Sequence, residues 1–205
     1  DRVSRGLGDV YKRQDKGNTV SVASPVMVDL ASKLVEIVDI ADWALFGKNG
    51  GDATSLAVMI AREHTCKEKI VKIDDGYHGT APWMQDKSRP GIIPSDNDHV
   101  IKVKWNDVDS LSEILDNYSD QIACFISSPY DHPVSRDNSL PEDDYWKKVT
   151  TLCKKHNVLT IVDDVRAGFR INLKGSNVAF GFTPDMICFG KAIANGHPLA
   201  SLVAV

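Results

Sequence analysis

Three short, unbroken apolar runs constrain this chain most: Ile122–Ile126 (IACFI), Leu159–Val162 (LTIV) and Met186–Phe189 (MICF). None alternates apolar with polar residues, so each predicts a strand covered on both faces, the pattern of parallel sheets. Between the first two, Pro141–His156 predicts a helix with Pro in its first turn, which completes a βαβ unit. The rhythm continues upstream. Val26–Val38 carries apolar residues at helical spacing, and Asp42–Phe46 is a short apolar run ending at Gly47. A glycine loop, Gly47-Lys48-Asn49-Gly50-Gly51-Asp52, then opens a helix over Ala53–Thr65, where Leu56, Met59 and Ile60 recur at three and four residues. Lys69–Ile73 and Val100–Lys104 alternate like strands, and Asp109–Asn117 reads as a capped helix. A last run, Leu199–Val205, is expected to be a strand in which the chain stops, with unpaired edges that favour aggregation. The expected fold class is α/β: a mainly parallel sheet flanked by helices on both faces.

Composition narrows the function. With 24 Lys+Arg against 28 Asp+Glu the net charge is −4, which disfavours a dedicated nucleic-acid binder. No apolar run approaches the roughly 20 residues of a membrane helix, so neither nucleic acid nor membrane is an expected partner. The four cysteines show no C-x-x-C pairing, which points to free thiols in a reducing cytoplasm and to no metal site. Residues Asp1–Gln14 (DRVSRGLGDVYKRQ) lack the apolar centre of a signal peptide and read as a non-native leader. Residues 15–205 are then expected to be part of one larger domain, with its natural ends missing.

In open parallel sheets, ligands bind beyond the carboxyl ends of the strands, and three features fall there together. Asn49-Gly50-Gly51-Asp52 precedes a helix: it is either an ordinary tight turn or an anion site, where backbone amides and the helix dipole meet a phosphate. Asp163-Asp164 follows the Leu159–Val162 strand as either a structural cap or a buried carboxylate with a cationic partner. Lys191 sits among Gly190, Ala192, Ala194 and Gly196 as either a solvated lysine or an amine with room for a bulky carbonyl. The G-x-G-x-x-G fingerprint of nucleotide-binding sheets is absent, and Gly190-Lys191 has Asp185 where a Walker loop needs its leading Gly. A phosphate anchor, a carboxylate and a carbonyl-reactive amine are together what pyridoxal phosphate (PLP) requires.

The residues also resemble a family. Asn49-Gly50-Gly51-Asp52-Ala53-Thr54 is similar to the N-S-G-T-E-A-T loop of the class III, fold type I, PLP-dependent aminotransferases, and Gly76-Tyr77-His78-Gly79 to their G-x-Y-H-G step. Asp163–Arg170 (DDVRAGFR) resembles D-E-V-x-T-G-F-R, and Pro184–Lys191 resembles the segment of the Schiff-base lysine. Within the family the glutamate-1-semialdehyde 2,1-aminomutase branch resembles the chain most. The resemblance implies the large PLP domain without its small C-terminal domain, and a homodimer acting on a small amino or keto acid by amino transfer or aminomutation. It implies that Lys191 binds PLP covalently and moves the proton, and that Asp163 holds the pyridine nitrogen. Tyr77 and Val165 would cover the two ring faces, Asn49, Gly50 and Gly51 would hold the phosphate, and His78 would orient a neighbour.

The chain departs from this pattern at several positions. Ser127-Ser128-Pro129 stands where the family commonly has Glu-Pro, Asp52 where it has Glu, Gly51 where it has a hydroxyl residue, Arg166 where it has Met or Gln, and Ala167 where it has Thr. Arg166 is expected to form a salt bridge with Asp163 or Asp164, the alternative being a substrate carboxylate. The family's own carboxylate-binding arginine is expected outside these residues. A second reading of the whole chain is a catalytically silent fragment or a degenerate binding protein that keeps the fold without turnover.

Overall fold

The structure, a computed structural model, describes Tyr11, residues 24–133 and residues 136–205. Apart from Tyr11, the leader expected over 1–14 lies outside the described residues. Seven strands form one sheet in the order β1 (Trp43–Gly47), β7 (Ala200–Ala204), β6 (Met186–Phe189), β5 (Leu159–Asp163), β4 (Ile122–Ser127), β2 (Lys69–Ile73), β3 (Val100–Val103). Pairing from β6 through β5, β4 and β2 to β3 is parallel, whereas β7 is antiparallel to both of its neighbours. β1 therefore runs with the parallel set and only β7 runs against it. The carboxyl ends of all the other strands open on one edge.

Period-two burial explains why the unbroken apolar runs become central strands. Cys124, Ile126 and Ile161 pack with α2 (Gly50–Thr65) on one face, where Ala53, Ala57 and Ala61, spaced one turn apart, let the helix lie close to the sheet. Phe125 and Val162 face the other way, against Leu111 and Leu115 of α3 (Val108–Tyr118) and Trp146, Val149 and Cys153 of α4 (Tyr145–Lys155). On the same side as these, Ile187, Phe189 and Val203 cover Leu34 of α1 (Pro25–Ile37) and Val38 after it. Helices thus cover both faces, as expected, and a short α5 (Ser176–Ala179) caps the segment before β6. The cysteines are free, three of them buried. Among the described residues no helix is long and apolar enough to cross a membrane.

Three expectations need correction. The run Leu199–Val205 forms no exposed edge: β7 bonds to β1 on one side and β6 on the other, and all five of its residues are buried. The aggregation argument built on a naked strand loses its basis. The fourth helix starts at Tyr145, not Pro141, because Asp144 takes a left-handed conformation (φ 61°) that no helical turn accommodates. The segment before it is tied elsewhere, through an Asp131–Ser139 bridge and the Glu142 amide bonded to Asn106 Oδ1 at 3.1 Å. The glycine loop is also shorter than predicted, since α2 begins at Gly50 and the two glycines form its first turn.

Candidate active site

That early start follows from a reciprocal cap. Asn49 Oδ1 accepts from the Asp52 amide at 3.1 Å, and Asp52 Oδ2 accepts from the amides of Asn49 (3.1 Å) and Lys48 (2.7 Å). Gly50 and Gly51, the first two helical residues, carry amides without intrahelical acceptors at the positive end of the dipole. Close approach demands glycine at position 50, where a Cβ would lie 2.7 Å from a Val165 methyl; a Cβ on Gly51 would make a tight 3.0 Å contact with Asn49 Oδ1. Asp52, in place of the family's Glu, still completes the cap.

This helix end forms one wall of a cleft of about 920 Å³ above the carboxyl ends of the strands. Asn49, Gly50, Gly51, Tyr77, His78, Asp163, Val165 and Lys191, the residues singled out from the sequence, all line it. They arrive from the ends of β1, β2, β5 and β6, so the sheet brings together segments remote in the chain. Tyr77 is half exposed at 51%, with an accessible side in the cleft, and Val165 lies buried between Gly50 and Gly190, where a Cβ on Gly190 would come within 2.9 Å of it.

Asp163, at the end of β5, is 6% exposed. Its Oδ2 lies 2.8 Å from His78 Nδ1 and its Oδ1 accepts from the Val165 amide at 3.2 Å. The side chain that faces this buried carboxylate is thus a histidine, itself buried. With the carboxylate as acceptor, Nδ1 carries the proton; His78 Nε2 has no hydrogen-bond partner among the described residues. The loop bearing His78 is fixed to α2, because Thr54 Oγ1 donates to the His78 carbonyl at 2.6 Å. Asp164 points away from the cleft and accepts from Ser176 N (2.8 Å) and Ser176 Oγ (2.5 Å). Burial pushes its carboxyl up to about 6, with the Asp163 charge acting in the same direction. The pair therefore splits into one carboxylate facing the cleft and one structural carboxylate.

Lys191 opens a 3₁₀ turn after β6 with φ 46°, a left-handed conformation rare for a residue with a side chain, and its own side chain is exposed in the cleft. The salt bridge expected for Arg166 is not formed with either Asp163 or Asp164. Its Nη1 instead donates to the His132 carbonyl at 3.3 Å, and the side chain lines the cleft. Sequence reasoning missed Lys48, Thr80, His132, Arg170, Asn195 and His197, which also line it. Burial lowers the His132 pKa, and Arg166 nearby adds to the effect. Only Arg170, inside the D-E-V-x-T-G-F-R resemblance, carried a usable signal.

A helix end with free amides, the side chain of Val165, a buried carboxylate and an accessible amine in one cleft fit a phosphorylated pyridine aldehyde. The glycines leave space that Cβ atoms would fill, and Asp163 keeps acceptor capacity beyond its two bonds.

Comparison with known proteins gives the same picture. The family model described as Aminotransferase class-III matches residues 10–205. The chain is 39% identical over 187 residues to an aminopentol aminotransferase of Sphingopyxis macrogoltabida, covering 91% of this chain and 44% of that protein. It is 30% identical to a glutamate-1-semialdehyde 2,1-aminomutase of Francisella tularensis, covering 90% and 45%. Among solved structures, the PLP internal aldimine form of the Sphingopyxis sp. MTA144 FumI protein superposes with a TM-score of 0.87 at 39% identity, covering 91% and 45%. The chain spans a little under half the length of these relatives.

Proposed function

Because the chain belongs to the class-III aminotransferase family, we propose that it holds PLP in this cleft and transfers amino groups between a small amine or amino acid and a carbonyl acceptor. The observation that carries this reading is the convergence of the first turn of α2, Asp163 and Lys191 on one cleft. Bound PLP supplies an electron-withdrawing ring that stabilises negative charge on the carbon bearing the substrate nitrogen. The Gly50 and Gly51 amides bind the phosphate, aided by the helix dipole. Asp163, oriented by His78, keeps a proton on the pyridine nitrogen. Val165 and Tyr77, which both line the cleft, would hold the ring from its two faces. Lys191 Nζ would hold the cofactor's aldehyde and, when free, would take and return the proton at the substrate carbon. Its side chain is exposed in the cleft.

The test is absorbance and mass. The purified chain, mixed with PLP, is expected to develop a band near the visible edge, and borohydride is expected to fix the cofactor mass on Lys191. Lys191→Ala removes both signals. A wild-type chain without the band is the catalytically silent fragment or degenerate binding protein. Greater similarity to an aminotransferase (39%) than to an aminomutase (30%) favours net amino transfer. Conversion of donor without a carbonyl acceptor would instead favour mutation within one molecule. We also place the protein in homodimers, and sedimentation velocity checks the assignment.

A further inference from the structure

The cleft holds more positive charge than its cofactor uses. Three points serve PLP: the start of α2, Asp163 and Lys191. Two guanidinium groups, Arg166 and Arg170, line the same cleft and belong to none of them. Among the described residues neither has a carboxylate within salt-bridge distance, in a chain with 28 acidic against 24 basic residues. Their placement is specific. Arg166 directly follows Val165, whose methyls are clamped between Gly50 and Gly190, so its backbone is anchored at the platform for the ring. Arg170 Nη1 donates to the Arg166 carbonyl at 2.9 Å and stiffens the turn. One Arg166 nitrogen bonds the His132 carbonyl at 3.3 Å, leaving other N–H groups of the planar fork for a ligand. The facing strand end does not quench this charge: Ser128 precedes Pro129 there, and Asp131 on the same loop is paired with Arg136.

We propose that Arg166 binds the carboxylate of the amino-group substrate, so that the site takes amino acids over amines lacking an acid group. The inference rests on the PLP reading above and deepens it. Arg166 is a specificity residue: it holds the substrate by a charge-assisted pair and takes no part in moving the proton.

The experiment compares PLP-loaded wild type, Arg166→Gln and Arg166→Lys. Donors are alanine, 3-aminobutyrate and 4-aminobutyrate, each against the amine lacking its carboxylate: ethylamine, 2-aminopropane and 1-aminopropane. For the carboxylated donor that wild type turns over best, Arg166→Gln is expected to raise KM about ten- to a hundredfold, with kcat within about threefold and the matched amine unaffected. Arg166→Lys, which keeps the charge but loses the fork, is expected to recover part of the loss. Calorimetric binding of glutarate, which cannot react, is expected to weaken by a similar factor, without recourse to turnover. Equal glutarate affinity and equal KM in wild type and Arg166→Gln overturn the inference while the cofactor band leaves the PLP reading standing. Wild type that prefers the plain amines, or does not bind glutarate, overturns it too. A missing band in wild type defeats the PLP reading itself, and the inference with it.

Discussion

Two adjacent carboxylates, Asp163 and Asp164, show how one residue step separates chemistry from structure. Asp163 faces the cleft and His78, whereas Asp164 is sealed beneath it on Ser176. The sign of the Asp164 contribution follows from its raised pKa. Between about 4, where the unfolded carboxyl titrates, and about 6, the folded protein holds a proton that the unfolded chain has released. Its contribution to stability is therefore whole below that window and lost as pH rises through it, on the order of 2 kcal/mol. Asp164→Asn can keep both bonds to Ser176, its carbonyl accepting from the amide and its NH2 donating to Oγ. The urea midpoint of the variant relative to wild type is expected to climb from pH 4 to 6 and level off above. A constant difference across that range would exclude this account. A second residue carries strain. The left-handed Lys191 costs about 1 kcal/mol that only glycine avoids, so without PLP Lys191→Gly is expected to melt higher than Lys191→Ala although both lose covalent attachment.

At the scale of elements, the fit between α2 and the turn after β5 sets the shape of the cleft. A methyl on Gly50 would improve helix propensity, yet it meets both Val165 methyls at 2.7 and 2.8 Å. Gly50→Ala is expected to lower stability by about 1–3 kcal/mol and weaken PLP binding, and Val165→Ala in the same chain is expected to restore part of both. Additive effects in that double-mutant cycle would mean that the two elements do not touch as described. Asn49→Ala removes the cap and is expected to cost about 1 kcal/mol in thermal unfolding. These elements were unevenly legible in the sequence. Strands β4, β5 and β6 announced themselves because burial on both faces leaves few polar positions, Thr160 being the one inside the apolar runs. The start of α2 was readable in principle, since Asn49 and Asp52 have capping-box spacing, but the paired glycines read more strongly as a loop. The left-handed Asp144 that delays α4 left no local mark, because an Asp before a helix normally reads as a cap. Arg166 was misplaced for a related reason: sequence adjacency to Asp163 and Asp164 suggested a bridge, while β5 ends at Asp163, Asp164 is tied to Ser176 and Arg166 lies in the turn that follows, reaching the His132 carbonyl.

The order of strands in the whole sheet explains why the phosphate anchor depends on a strand that contributes nothing to the site chemically. β1 delivers Asn49, Gly50 and Gly51, and β6 delivers Lys191, but the two strands never touch; β7 lies between them and bonds to both. Its antiparallel direction, which no apolar run discloses, lets a strand from the end of the chain join one from its beginning. Further ties run through the same strand: the Asp42 amide bonds the Ala204 carbonyl at 2.8 Å, and Trp43 Nε1 bonds that of Val205 at 3.2 Å. Leu202, fully buried, packs in the cluster that holds Ala53 and Ala57 of α2. Deleting residues 200–205 removes no side chain lining the cleft, yet it should detach β1 and let the α2 terminus drift from Asp163 and Lys191. The shortened chain is expected to lose the PLP band and at least tenfold in phosphate affinity, a loss of about 1.4 kcal/mol or more, while the parallel strands β2–β6 retain their secondary structure by circular dichroism. Undiminished PLP binding by that chain would show that the phosphate anchor is positioned by α2 packing alone.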